Sequence, residues 1–237
     1  MSVLFKKSAK LEATFRIRSI HYYRRRLHSL LAKLFPMWVH ERETRNWWET
    51  RWSQENFPPF RKPSLIPKEL RDAVDSGWFQ PGAAVLDIGC GSGEFAAWLA
   101  SRGFRVLGID CSSAAIDRAR SQHGEISGSL EFKALDICRE LPGPAKFNAV
   151  FDRGCYQVVL ERFRSDYARN VASCSAPGAR FLLIVAVGAK SEAVIRNVKT
   201  IFQPLFDISK MEKTHLDMAS GVDPKPGMAF WLSRRED

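Results

Sequence analysis

The 237-residue sequence predicts an α/β domain, a doubly wound and mostly parallel seven-stranded sheet, preceded by a basic helical extension. Three observations predict it. From residue 84 onward, short apolar runs of strand length alternate with helix-like segments, the pattern of a sheet covered on both faces. A glycine-rich turn, Gly89-Cys90-Gly91-Ser92-Gly93, follows the first of these runs and opens the next helix. The charge is uneven: residues 1–46 hold 11 Lys+Arg against 3 Asp+Glu, or +8 of the chain's net +10.

Taken in order, Leu11, Phe15, Ile20, Leu27, Leu30, Leu31 and Leu34 recur at helical spacings with Arg16, Arg18, Arg24, Arg25, Arg26 and Lys33 between them. That predicts a basic amphipathic helix over residues 11–35, stopped by Pro36. Such a helix either packs on the domain with a solvated basic face or makes peripheral contact with an anionic membrane or nucleic acid. A mitochondrial transit peptide is a lesser option because serines are few. Glu41 to Trp52 predicts a second helix, followed by a loop with four prolines and a helix near residues 67–77. The boundary is set at residues 46/47, with the extension over 1–46 and the domain over 47–237.

Within the domain, strands are predicted at Ala84–Ile88, Arg105–Ile109, Leu130–Leu135, Asn148–Phe151, Phe181–Val187, Leu205–Lys210 and Met228–Leu232. Helices are predicted at Glu94–Ser101, Ser113–Ser121, Tyr156–Ala172 and Glu192–Phe202. Right-handed crossovers then place ligand loops at the carboxyl ends of the strands, at the switch between the first and fourth.

Composition excludes several classes. Five scattered cysteines with no CxxC pair argue against a disulfide framework or a zinc site, and for a reducing, cytoplasmic setting. No apolar run reaches the roughly 20 residues of a membrane helix. Five histidines show no metal-ligand spacing, so no metal is expected, and the chain is read as a monomer.

The glycines follow a GxGxG spacing, whereas a dinucleotide fingerprint reads GxGxxG. Asp87 stands two residues before Gly89. A carboxylate there would repel a pyrophosphate but attract a sulfonium and an α-amino group, which favours S-adenosylmethionine on Gly89, Gly91 and Gly93. Asp110, with Cys111 beside it, ends the second strand and suits the two ribose hydroxyls. Asp136 and Ile137 end the third strand and suit the adenine. Any one of these acids alone would read as a helix cap or a solvated strand end; together, at successive strand ends, they read as a site.

These segments resemble motifs I, II and III of the class I methyltransferases, over roughly residues 80–235. Asp152-Arg153-Gly154 after the fourth strand resembles the thiopurine, thiol and halide methyltransferase superfamily. Tyr167-Ala168, Phe181-Leu182-Leu183, Ile201-Phe202 before Phe206-Asp207-Ile208, and Trp48-x-x-x-Trp52 agree with it. The resemblance implies that Trp48 and Trp52 close over the cofactor and that Phe60 lines an acceptor pocket. Gly188-Ala189-Lys190-Ser191-Glu192 lacks the proline-glycine-proline run usual there, so the acceptor is not inherited with the fold.

The chemistry implied is metal-free SN2 transfer of a methyl group to a small-molecule acceptor, a thiol or similar soft nucleophile. The leaving group departs neutral, so alignment and desolvation are the main tasks. Arg153 would favour a thiolate or hold an acidic group of the acceptor, or else pair with Asp152 or another acid to lock the loop. Asp152 reads as a weak base or an orienter, and Tyr156 as a pocket wall or a core ring. Protein lysine methylation is an alternative, since Asp-Arg-Gly resembles an Asp-Lys-Gly-Thr signature, but Cys155-Tyr156-Gln157 departs from it. RNA methylation is suggested only by the basic extension.

Overall fold

The computed structural model describes residues 45–54, 66–126, 128–187, 191–216 and 224–236. The chain divides into two units, Met1–Trp47 and Trp48–Asp237, and of the first only residues 45–47 are described. The helix predicted over 11–35, Phe60 and residues 188–190 of the loop after the fifth strand lie outside the described residues.

A short helix, α1 (Asn46–Trp52), spans the boundary between the units. Then follow α2 (Lys68–Asp75), β1 (Ala84–Ile88), α3 (Glu94–Ser101), β2 (Arg105–Asp110), α4 (Ser113–His123), β3 (Leu130–Ala134) and β4 (Phe147–Arg153). The chain continues through α5 (Arg164–Cys174), β5 (Ser175–Ala186), α6 (Ser191–Phe202), β6 (Phe206–Leu216) and β7 (Lys225–Arg234). All seven strands lie in one sheet in the order β3-β2-β1-β4-β5-β7-β6. The first five are parallel, while β7 runs antiparallel between β5 and β6. Strand order reverses between β1 and β4, which opens a crevice at their carboxyl ends.

The central strands read as continuous apolar runs because both faces are covered. Phe181, Leu183 and Val185 of β5 point into one layer with Tyr167 and Val171 of α5 and Val198 and Phe202 of α6. Leu182 and Ile184 point into the other, with Leu70 of α2, Leu99 of α3 and Ile116 of α4. The aromatic cluster of Phe181, Phe202 and Phe206 packs edge to face, with centroids 5.7–6.0 Å apart.

Three elements differ most from the sequence expectation, one of them β5, which begins at Ser175, six residues before the predicted Phe181. The single helix predicted from Tyr156 to Ala172 is instead two 3-10 turns, Tyr156–Val158 and Glu161–Phe163, followed by α5. Side chains break it: Asp152 takes the amides of Cys155 and Tyr156, and Arg164 donates to the Val159 carbonyl. The strand β6 runs six residues beyond the predicted Lys210 end. Its residues Lys210–Leu216 are mostly polar and alternate between exposed and half-buried, as an edge strand with one solvated face requires.

Candidate active site

The site is built where β1 and β4 part. After Ile88 the chain turns through Gly89 and Gly91 with φ of +69° and +56°, left-handed values that favour glycine. The Gly89 and Cys90 amides donate to the Ile109 carbonyl at 2.8 and 2.9 Å, tying the loop to β2. A methyl group added at Gly89 would stand 2.5 Å from Cys155 Cβ, and one at Gly91 2.9 Å from Trp52 Cζ2. The sequence reading reserved these glycines for ligand approach, but the chain's own side chains already claim their open faces. Gly93 likewise makes room for the Phe132 ring.

Asp87 ends β1 with 2% of its surface exposed, and its Oδ2 has no hydrogen-bond partner among the described residues. Burial first, then the carboxylates of Asp152, Glu94 and Asp110, push its pKa well above the ordinary range. A buried acid with one oxygen unpartnered, set among other acids, is a site that a cation would stabilise. The residues present therefore fit S-adenosylmethionine, whose sulfonium and ammonium are both cationic.

Asp110 ends β2. Its carboxylate accepts from the Gly91 amide at 3.2 Å and the Ser112 amide at 2.9 Å, and the neighbouring Cys111 thiol also bonds to it. Burial lifts its pKa to about 6. Asp136, beyond β3, accepts from the Cys138 amide at 3.0 Å, and Ile137 beside it is buried with its carbonyl held by Asn170. Thus Asp87, Asp110 and Asp136 occupy three adjacent strand ends, as predicted from their spacing. Trp52 is buried with its ring on Gly91, while Trp48 one turn earlier is half-buried.

The β4 end separates its two polar residues, because neighbouring strand residues point to opposite faces. Asp152 turns into the core. It accepts from the Cys155 amide at 2.8 Å, the Tyr156 amide at 2.9 Å and the Tyr167 hydroxyl at 2.5 Å. Burial still raises its pKa to about 7 against those hydrogen bonds. Arg153 turns the other way and sits with its guanidinium carbon 5.5 Å from the ring centroid of Phe95, in the first turn of α3. The Asp152–Arg153 pair considered from sequence is not what engages Asp152. Of the two readings of Tyr156, a pocket wall or a core ring, the structure shows the core ring. It is 2% exposed, donates to Asn197 at 2.8 Å, and packs on Tyr167 and Phe202.

Three contributors were not foreseen. Glu49 accepts from the Ser112 hydroxyl at 2.8 Å and the Ala114 amide at 3.3 Å, and Arg118 donates to the carbonyls of Trp52 and Gln54 at 2.9 and 3.2 Å. Tyr167 was noticed only through resemblance, and its hydroxyl proves to be a partner of Asp152. Removing that hydroxyl in Tyr167→Phe strips a hydrogen bond from a buried acid. It should destabilise the fold by roughly 1–3 kcal/mol in a denaturant titration.

Asp110 and Asp152 also set a pH dependence. In the unfolded chain both titrate near 4, whereas in the fold they hold protons up to about 6 and about 7. Between those values the native state binds more protons than the unfolded one, so their contribution falls as pH rises. The melting temperature of the ligand-free protein should therefore drop from about pH 5 to about pH 7.5, and Tyr167→Phe should carry the drop to higher pH.

Among the described residues no cluster of three His, Cys, Asp or Glu side chains could hold a metal ion, and no helix is long and apolar enough to cross a membrane.

Comparison with known proteins agrees with this geometry. A methyltransferase domain family matches residues 85–178. Two uncharacterized methyltransferases of Schizosaccharomyces pombe are 35% and 31% identical over 91 and 99 residues, covering 38% and 41% of this chain and 61% and 68% of their own length. The 2-heptyl-1-hydroxyquinolin-4(1H)-one methyltransferase of Mycobacteroides abscessus is 28% identical over 102 residues, 43% of this chain and 45% of that protein. The chain thus spans about half to two thirds of the length of these relatives. Thiopurine S-methyltransferase of Pseudomonas putida is 25% identical over 151 residues, 58% of this chain and 69% of that enzyme. In fold, the chain is similar to the N-methyltransferase NodS of Bradyrhizobium japonicum in complex with S-adenosyl-L-homocysteine. The TM-score is 0.63 at 18% identity, over 81% of this chain and 99% of that one.

Proposed function

The chain belongs to the class I S-adenosylmethionine-dependent methyltransferases, and from that premise we propose that it transfers a methyl group to a small-molecule thiol or similar soft nucleophile. The observation that carries the cofactor half is Asp87, whose buried and unpartnered oxygen calls for a cation beside the glycine loop. Asp110 would hold the ribose hydroxyls, Asp136 and Ile137 the adenine, and Trp48 and Trp52 the open side of the loop over Gly89, Gly91 and Gly93.

When bound, S-adenosylmethionine supplies a methyl group on a positively charged sulfur, which leaves as a neutral thioether. The chain's own work is to align the acceptor and strip its water. Arg153 brings a guanidinium to the first turn of α3, directly after the glycine loop. A thiol near that charge ionises more readily, and an acidic group on the acceptor would be held there instead. Asp152 is a positioning residue in this reading: its engaged carboxylate shapes the turn that presents Arg153 and Cys155. The thiopurine relative supports a sulfur acceptor, while the quinolone relative names a hydroxylated ring in its place.

The test is to incubate the purified chain with methyl-labelled cofactor beside aryl and alkyl thiols, hydroxylated quinolones, cell protein extract and total RNA. Label on a thiol is expected. Label on the quinolone alone would keep the methyl transfer and replace the acceptor, and label only in protein or RNA would sink the small-molecule reading. Arg153→Met should raise the KM for the thiol about tenfold or more, the effect of losing one charge-assisted contact. For residues 1–46 we propose peripheral contact with anionic surfaces. Unchanged liposome and RNA association after deleting 1–35 would refute that contact.

A further inference from the structure

We propose that Glu49 and Arg118 are positioning residues that hold Trp52 on the glycine loop and so govern how long an S-adenosyl ligand stays bound. The inference rests on the cofactor reading above. It concerns α1, a short element that lies against the loop.

A seven-residue helix has little stability of its own, so α1 stays helical and in place only through what it touches. Among the described contacts of α1, two involve one face of α4. Glu49, in the middle of α1, puts its carboxylate on the first turn of α4, accepting from the Ser112 hydroxyl and the Ala114 amide. An anion there is favoured by the exposed amides of the helix start. Arg118, four residues after Ala114, donates to the carbonyls of Trp52 and Gln54 at the far end of α1. Its guanidinium carbon also lies 5.6 Å from the centroid of the Trp52 ring. One grip is anionic, on a hydroxyl and an amide, and the other cationic, on two carbonyls, so they hold different parts of the segment.

What the grips hold is Trp52, 3% exposed, with its ring at the distance where a Gly91 methyl would collide. The same network closes on the expected ribose acid. Asp110 accepts from the Gly91 amide beneath Trp52 and from the amide of Ser112, the residue whose hydroxyl Glu49 holds. Ligand, loop and helix are therefore joined through Asp110 and Ser112. A ligand lodged against the edge of the Trp52 ring is shut in by α1, and these two grips add to the cost of lifting that helix.

Glu49→Gln and Arg118→Met on the full chain test this. Dissociation of S-adenosyl-L-homocysteine is followed by stopped-flow displacement, and hydrogen exchange by mass spectrometry. Each variant should release the ligand about tenfold faster or more, with faster exchange at residues 49–53 and unchanged protection in β1 and β4. Glu49→Asp and Arg118→Lys should recover part of the residence time. An unchanged release rate alongside loosened α1 amides would overturn the proposal, as would loss of protection across the whole sheet in both variants. If the unaltered chain fails to bind S-adenosyl-L-homocysteine at all, the cofactor reading itself falls. That failure is separable, because it precedes any comparison of variants.

Discussion

Alanine at Asp110 should weaken binding of S-adenosyl-L-homocysteine by about 100-fold or more in isothermal titration. Two hydrogen bonds from ribose hydroxyls to a carboxylate contribute about 1.5–3 kcal/mol each, and about 3 kcal/mol in total is already a factor of about 100. A second loss adds to this. The carboxylate ties the amides of Gly91 and Ser112 at 3.2 and 2.9 Å, so alanine also frees the loop and the α4 start. Asp110→Asn keeps the shape and one acceptor oxygen, and should fall between the two. Undiminished binding by Asp110→Ala would refute the assignment of the β2 end to the ribose, and with it the register of the site.

The second large effect is expected from Gly89→Ala. A left-handed backbone costs an ordinary residue about 1–2 kcal/mol. The new methyl would also lie 2.5 Å from Cys155 Cβ, and overpacking of this kind costs about 1–3 kcal/mol. Together these predict a loss of roughly 2–5 kcal/mol, or a melting temperature lower by roughly 4–20 °C for a domain of this size. Because the collision is with a β-carbon, trimming Cys155 to alanine cannot relieve it, whereas Cys155→Gly can. The double variant Gly89→Ala/Cys155→Gly should therefore recover part of the loss relative to the sum of the singles, and strict additivity would show that the two residues do not meet.

Much of the fold was legible because its signals are local and periodic. The apolar runs at Ala84–Ile88 and Phe181–Val187 are strands buried on both faces, and nothing else of that length fits. The three acids were legible for the same reason: each sits at the end of a run whose limits the sequence marks. The 3-10 turns after β4 were not legible, because the helical pattern there is real but loses to Asp152, whose side chain takes the amides a helix would use. The length of β6 was hidden by its polar alternation. Tyr156 and Asp152 each kept two readings open for a related reason. Sequence places both beside the crevice but does not say which way a side chain turns, and both turn into the core. Glu49 and Arg118 were beyond reach altogether, since a bond between residues more than sixty positions apart leaves no local trace.

The reversal of strand order between β1 and β4 has a bearing on how such a chain diversifies. The three acids and the glycine loop all descend from β1, β2 and β3 on one side of that line, while Arg153 and the strands β5, β7 and β6 lie on the other. The matched family segment, residues 85–178, ends just as β5 begins. The three acids and the glycine loop thus fall inside the matched segment, whereas β6 and β7 fall outside it. A chimera that keeps this chain through Arg153 and borrows a relative's last strands should retain its affinity for S-adenosyl-L-homocysteine while exchanging its choice of acceptor.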